Sequence, residues 1–119
     1  MRSELNTYSA FDFCYLTTIG RVTGREHTIE IWFALNNQTL YMLAGSGENA
    51  DWVKNARRTP AVRIRIGDLN MQAIARIVND TQEDALARAL VVGKYQPTEK
   101  EDLGDWGLTA LPVAFDLEA

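Results

Sequence analysis

Alternation of apolar and polar residues with a period of two is the feature that most limits the folds open to this sequence. In 28–35, Ile29, Ile31, Phe33 and Leu35 fall on one side, and Thr28, Glu30, Trp32 and Ala34 on the other. In 61–66, Val62, Ile64 and Ile66 oppose Arg63 and Arg65. Successive side chains of a strand point to opposite faces, so this pattern buries one face of a sheet. Six strands are predicted, at 13–19, 28–35, 39–44, 61–66, 69–78 and 111–117. Asn36-Asn37 tolerates the left-handed backbone a tight hairpin needs, and Gly67-Asp68 supplies a second turn. Asn49 is the expected cap of a short helix over 50–58, which ends at Thr59-Pro60 because a residue before proline avoids helical geometry. Asp80 with Glu83 three residues on marks a second helix start. That helix is predicted over 81–94, with Leu86, Ala89, Leu90 and Val92 or Gly93 as its buried stripe. The polar stretch 96–107 reads as a loop. Short turns between strands make the sheet antiparallel, and six such strands in a short chain curl to protect their edges. The expected fold is mainly β: a small six-stranded antiparallel barrel with two flanking helices.

At 119 residues, one domain over 1–119 is expected, with 1–10 as a flexible or helical N-terminal extension. Apolar residues are 46% and charged residues 24%, which argues against disorder. The formal charge of −4 disfavours nucleic acid, whose affinity rests on phosphate neutralisation. No run approaches the roughly 18 apolar residues of a membrane span, and 1–4 lack the apolar core of a signal peptide. The lone cysteine, Cys14, excludes an intramolecular disulfide, lies in an apolar run and reads as a buried small hydrophobe. One cysteine and one histidine, His27, make a zinc site unexpected. A cytoplasmic protein without a metal follows as the expectation.

Four constellations could carry chemistry. Gly20-Arg21-Val22-Thr23-Gly24-Arg25 lies between two strands. Its glycines permit a sharp turn with bare N–H groups, an anion cradle, and Arg21 and Arg25 add guanidinium forks that match phosphate. The same residues also suit an ordinary solvated hairpin. Ala44-Gly45-Ser46-Gly47 leads into the helix that carries Trp52 and Asn55, three apart and on one face. Small residues before a helix start let a ligand approach, although Trp52 serves equally well as a core anchor. Arg63 and Arg65 share a face, either for ligand or as a solvated surface paired with acidic neighbours. Tyr95 closes the second helix and either donates a proton or packs. Ser46 has no histidine at a meaningful spacing, so a hydrolytic triad is unsupported. Glu83-Asp84 and Glu101-Asp102 read as solvated. Phosphate-binding features without a reactive side-chain pair point to chemistry carried by a cofactor.

Two of these stretches carry a resemblance that extends over about 12–117. Leu16-Thr17-Thr18-Ile19-Gly20-Arg21-x-Thr23-Gly24 resembles the L-T-T-x-G-R-x-S/T-G opening of the deazaflavin-dependent nitroreductases. Trp52-x-x-Asn55-x-x-x-x-Pro60-x-Val62 resembles that family's W-x-x-N-L-x-x-N-P-x-V stretch. The resemblance implies a split β-barrel related to FMN-binding oxidoreductases. It implies coenzyme F420 as cofactor and hydride transfer to an electron-poor nitroaromatic, quinone or activated alkene. Arg21, Thr23, Gly24 and His27 would lie near the phosphate and tail, joined by Arg25. Ala44, Gly45 and Ser46 would lie against the ring, with Trp52 and Asn55 beside it, and Tyr95 and Ser46 are the candidate catalytic side chains. The chain departs from the family in Val22, where lysine is usual, and in a shorter 45–52 loop. FMN is the alternative cofactor, and a non-catalytic carrier of a flavin-type ligand the alternative role. A homodimer is implied, with Trp32 and Tyr41 as the exposed aromatics expected at its interface.

Overall fold

The computed structural model describes residues 2–118, and side chains from residue 5 onward. Helix α1 (Arg2–Tyr8) precedes strands β1 (Cys14–Ile19), β2 (Glu26–Ile31), β3 (Ala34–Asn36) and β4 (Thr39–Ala44). A 3₁₀ turn (Gly47–Asn49) leads into α2 (Asp51–Arg58), then β5 (Ala61–Ile66) and β6 (Leu69–Ile77). Helix α3 (Thr81–Tyr95), a second 3₁₀ turn (Gln96–Thr98), α4 (Gly104–Thr109) and β7 (Leu111–Leu117) complete the order.

The seven strands form one sheet in the order β2-β1-β5-β6-β7-β4-β3, and every pairing is antiparallel. The two edge strands, β2 and β3, are separated in the chain by only Trp32 and Phe33. Three Cα steps reach at most about 11 Å, so the two edges must come together there. Alternating direction across seven strands also makes β2 and β3 point the same way. The chain therefore crosses from one edge of the sheet to the other without reversing, and the sheet curls into a split barrel. This is the expected fold with one more strand: the predicted strand over 28–35 divides at Trp32-Phe33, where its pairing passes from β1 to β4. The turn expectations hold, with Asn37 (φ 57°) and Gly67 (φ 59°) in left-handed geometry.

The inward faces of Leu16, Phe33, Leu40, Met42, Ile64 and Phe115 fill the barrel, and Leu5 of α1 packs with them. A second apolar layer lies outside it. There Ala34, Tyr41, Leu43 and Ala114 are covered by Ala87, Val91 and Tyr95 of α3. These last three, spaced four apart, are the buried stripe of that helix. The predicted stripe is offset by about one residue, and Leu86 is 39% exposed. The small Ala87 and Val91 let the helix lie close to the sheet, and Tyr95 then stacks on Trp32 at 4.2 Å.

Further expectations are corrected. Trp32 and Tyr41 are not free for an interface: Trp32 lies between Tyr95 and Trp106, and Tyr41 is buried and donates to Glu83 Oε2 (2.6 Å). Asn49 does not cap α2, because the 3₁₀ turn intervenes and Ala50 holds the cap position with no side-chain bond. Asp80 does cap α3, accepting from the Glu83 N–H. The stretch 96–107 contains most of α4, whose Gly107 is demanded by packing: a Cβ there would lie 2.6 Å from Val92 Cγ2.

Candidate functional site

Antiparallel order places the end of β1, the end of β4, α2 and the start of β7 at one end of the barrel. On the β1–β2 side of α2 this end opens into a cleft of about 350 Å³. Thr18, Arg21, Thr23, His27, Asp51 and Asn55 supply its polar lining, and Val22, Ile29 and Trp52 its apolar wall. Sequence reasoning thus meets the structure at Arg21, Thr23, His27, Trp52 and Asn55.

A hydrogen-bonded chain organises the cleft. Thr18 occupies an inward position of β1 that alternation would give to an apolar residue, and it is buried. Asn55 of α2 is also buried, and its Nδ2 donates to Thr18 Oγ1 (3.3 Å). Its Oδ1 accepts twice from Arg21, from the main-chain N–H at 3.1 Å and from Nη1 at 2.8 Å. Arg21 Nη2 then reaches Asp51 Oδ1 at 3.2 Å. Buried polar groups need partners, and a satisfied network fixes its members in place. Asn55 therefore locks the β1–β2 turn to α2 and sets the direction of the Arg21 fork.

Four of the turn's six N–H groups are engaged and not bare. The Gly20 N–H donates to Arg25 O (2.7 Å), Gly24 to Gly20 O (2.9 Å), Arg25 to Thr23 Oγ1 (3.2 Å) and Arg21 to Asn55. These bonds shift much of any anion recognition to side chains. Gly24 is needed for its left-handed backbone (φ 74°). Gly20 leaves room for two exposed side chains: a Cβ there would lie 2.7 Å from His27 Nε2 and 2.9 Å from Thr23 Oγ1. Thr23 and His27 thus pack directly over Gly20, and Arg25 stands exposed beside them.

The other expected residues lie elsewhere. Ala44 is buried at the end of β4, and Gly45 and Ser46 are exposed beyond it at the same end of the barrel, outside the cleft lining. Gly45 faces Trp106, whose Nε1 lies 3.3 Å from the position a Cβ would take. Tyr95 is not brought to the cleft. Its hydroxyl accepts from the Phe33 N–H (3.0 Å) and donates to Asp12 O (2.8 Å), and burial pushes its pKa up to about 12. That hydroxyl keeps its proton near neutral pH and directs it to Asp12 O, away from the cleft. Arg63 forms a bidentate pair with Glu26 at 2.8 and 3.1 Å, and Arg65 lies over the Tyr15 ring, so both serve the outer surface. Sequence reasoning missed Thr18, Ile29 and Asp51. Thr18 had a readable signal, a polar residue on the inward phase of a strand; Asp51 had none.

The cleft offers a guanidinium, two hydroxyls, an imidazole, an amide and, at its mouth, the Asp51 carboxylate, facing an indole and aliphatic side chains. Trp52 also rests on the core, tilted against Phe115 at 6.3 Å. Pockets of this size with few convergent polar groups suit small molecules. This donor set and wall fit a planar aromatic ligand that carries an anionic tail.

Comparison with known proteins gives the fold a context. An F420-H2 dependent reductase superposes with a TM-score of 0.70 at 20% identity, covering 90% of this chain and 94% of its own. A protein solved as a domain-swapped dimer gives 0.71 at 21%, covering 90% and 80%. HutZ, the heme storage protein of Vibrio cholerae, gives 0.71 at 18%, covering 100% and 92%. No curated protein sequence matches. Likeness at these identities establishes the split barrel and leaves the ligand open, as one fold serves several chemistries. The sequence settles the family: residues 3–113 match the F420H(2)-dependent quinone reductase model, so the chain belongs to that family of deazaflavin-dependent oxidoreductases.

Proposed function

We propose that the cleft between the β1–β2 turn and α2 holds the phosphate-bearing part of coenzyme F420, with a small electron-poor molecule, such as a quinone or nitroaromatic, as acceptor. When bound in reduced form, this cofactor supplies a hydride. The observation that carries the proposal is the Thr18–Asn55–Arg21 chain, which aims a guanidinium into the cleft. Arg21 binds the anionic group, and Thr23, Gly24, Arg25 and His27 complete the turn around it. Asn55 holds Arg21 in position. Trp52 and Ile29 shield the apolar side from water, which strengthens charge interactions inside. Ala44, Gly45 and Ser46 form the ring-side approach at the same barrel end, where the exposed Ser46 hydroxyl can hold a proton. With Tyr95 committed to the main chain, Ser46 or water completes protonation of the reduced acceptor. The protein's contribution is position and dryness.

The test is a titration of coenzyme F420 and, separately, FMN, followed by thermal stability. A ligand at one hundred times its dissociation constant stabilises by about 2.7 kcal/mol. A shift with F420 and none with FMN is expected; the reverse assigns the cleft to FMN. Arg21→Ala should weaken intact F420 at least tenfold, as loss of a charge-assisted bond of about 1.5–3 kcal/mol implies. It should leave a deazaflavin truncated before its phosphate unaffected, and equal loss for both would remove Arg21 from tail binding. Bound F420 that reduces neither menadione nor a nitroaromatic would leave a carrier role.

The same reading places the protein in the cytoplasm as a homodimer. Among the described residues, strand β2 pairs only with β1, which leaves its other edge for a partner. Sedimentation at micromolar concentration tests the assembly, and a monomer there overturns it.

A further inference from the structure

Arg21 makes two contacts in the cleft that differ in how readily they can be exchanged. The Asn55 grip is buried and tied through Thr18 to β1, so the packing of α2 fixes it. The Asp51 grip is a single contact of 3.2 Å, with the Asp51 side chain 85% exposed and that of Arg21 32%. Among the described residues, no other hydrogen bond holds the Asp51 carboxylate. A carboxylate with one contact and open access to water is easily moved.

Asp51 is also the first residue of α2, at the mouth of the cleft. Its oxygen occupies the place on Nη2 that a phosphate oxygen would take, because carboxylate and phosphate match the same fork. Resting on the reading that this cleft takes an anionic cofactor, we infer that Asp51 is a specificity-determining residue, a built-in anion that the ligand's phosphate must displace from Arg21. Displacement leaves two anions side by side at the mouth. Affinity for the anionic ligand is therefore lowered twice, by the lost ion pair and by repulsion from the freed carboxylate. A neutral ligand meets neither effect. The consequence is selection: weak or singly charged anions are turned away, and a ligand is admitted when its phosphate is joined by further contacts along the cleft.

The experiment measures dissociation constants of intact F420 and of a deazaflavin truncated before its phosphate, by ligand absorbance and thermal shift, without turnover. Asp51→Asn should bind intact F420 roughly three- to tenfold tighter at low salt, from removal of the competing ion pair and relieved repulsion. The gain should shrink as salt screens the mouth. Asp51→Glu keeps the anion and should stay within about twofold of the unaltered chain. The truncated ligand should bind all three equally. Asp51→Ser, also tolerated at a helix start, should repeat the Asp51→Asn result if that variant folds poorly. Unchanged or weaker binding of intact F420 by Asp51→Asn and Asp51→Ser overturns the inference, and so does an equal gain for the truncated ligand. Arg21→Ala separates the two readings. If it weakens F420 while the Asp51 variants do nothing, the cleft stands and the displaceable role falls. If it has no effect, both fall.

Discussion

Two polar networks reach into this barrel, and they end differently. At the cleft, Thr18, Asn55 and Arg21 bond mostly to one another and finish on an exposed carboxylate. At the β2–β3 crossover, Tyr95 and Lys94 bond to the main chain. The Tyr95 hydroxyl engages Asp12 O and the Phe33 N–H, and Lys94 Nζ donates to Phe11 O (2.7 Å) and Phe33 O (3.0 Å) over the Phe33 ring. Main-chain partners cannot leave without unfolding, whereas a side chain in water can. The crossover network is a strut that ties the N-terminal segment and α3 to the point where the two sheet edges meet. The cleft network is a site because its last contact can be replaced.

Breaking the strut should give the larger loss of stability. Tyr95→Ala removes a buried ring stacked on Trp32 and leaves the Phe33 N–H without its partner. Truncating a buried aromatic costs about 3–5 kcal/mol, so denaturant melts should show a loss of about 4 kcal/mol. The affinity of the remaining folded protein for F420 should hold within about twofold. A tenfold loss of affinity would mean that the two networks are coupled and that the distinction between strut and site is false.

Asn55→Ala tests the same distinction from the other side, with a smaller effect on stability. It removes the acceptor of two part-buried Arg21 bonds and the donor of a buried bond to Thr18. Orphaned buried groups cost about 1–3 kcal/mol, so about 2 kcal/mol is expected. Binding should suffer more, with F420 at least tenfold weaker, because Arg21 loses its direction as well as a bond. A variant that loses stability and keeps full affinity would reduce Asn55 to a structural tie.

How much of this was legible follows from where each signal lives. Strands were readable because burial of one sheet face writes itself into alternation, as at Val62, Ile64 and Ile66. The break at Trp32-Phe33 was hidden because Ile29, Ile31, Phe33 and Leu35 keep one phase through it. What changes there is the pairing partner, a tertiary property. Helix α4 was hidden for a related reason: Gly104–Thr109 is short, starts without a side-chain cap and depends on Gly107 fitting against α3. Within the site, Arg21 and Asn55 stood in spaced motifs. The Gly-rich turn misled because glycines that could bare their N–H groups instead bond across the turn. Asp51 gave no local sign, since its role exists only where α2 meets the β1–β2 turn.

The smallest expected effect is in pH, and it belongs to the strut. Burial lowers the Lys94 pKa to about 8, against opposing charge from Cys14 and Asp12, and burial raises the Cys14 thiol to about 12. A lysine whose pKa is lower in the folded chain binds fewer protons there between about pH 8 and its unfolded value near 10.5. Stability must therefore rise with pH through that window. For a half-buried group the slope should be roughly 0.5 kcal/mol per pH unit between about pH 8 and 9. Cys14 acts in the opposite sense: above its unfolded pKa near 9 the folded thiol keeps a proton that the unfolded chain releases, so stability falls. Tyr95 and Tyr41, both raised to about 12 with burial as the main cause, add to that fall above about pH 10. The sum is a shallow maximum near pH 9. Lys94→Met should abolish the rise from pH 8 and leave the fall above pH 10 in place, because it removes one titration and keeps the apolar stem over Phe33. Urea melts at half-unit pH steps would show it. A rising limb that survives Lys94→Met would mean that another group carries it, and that the strut holds its ammonium no less easily than water does.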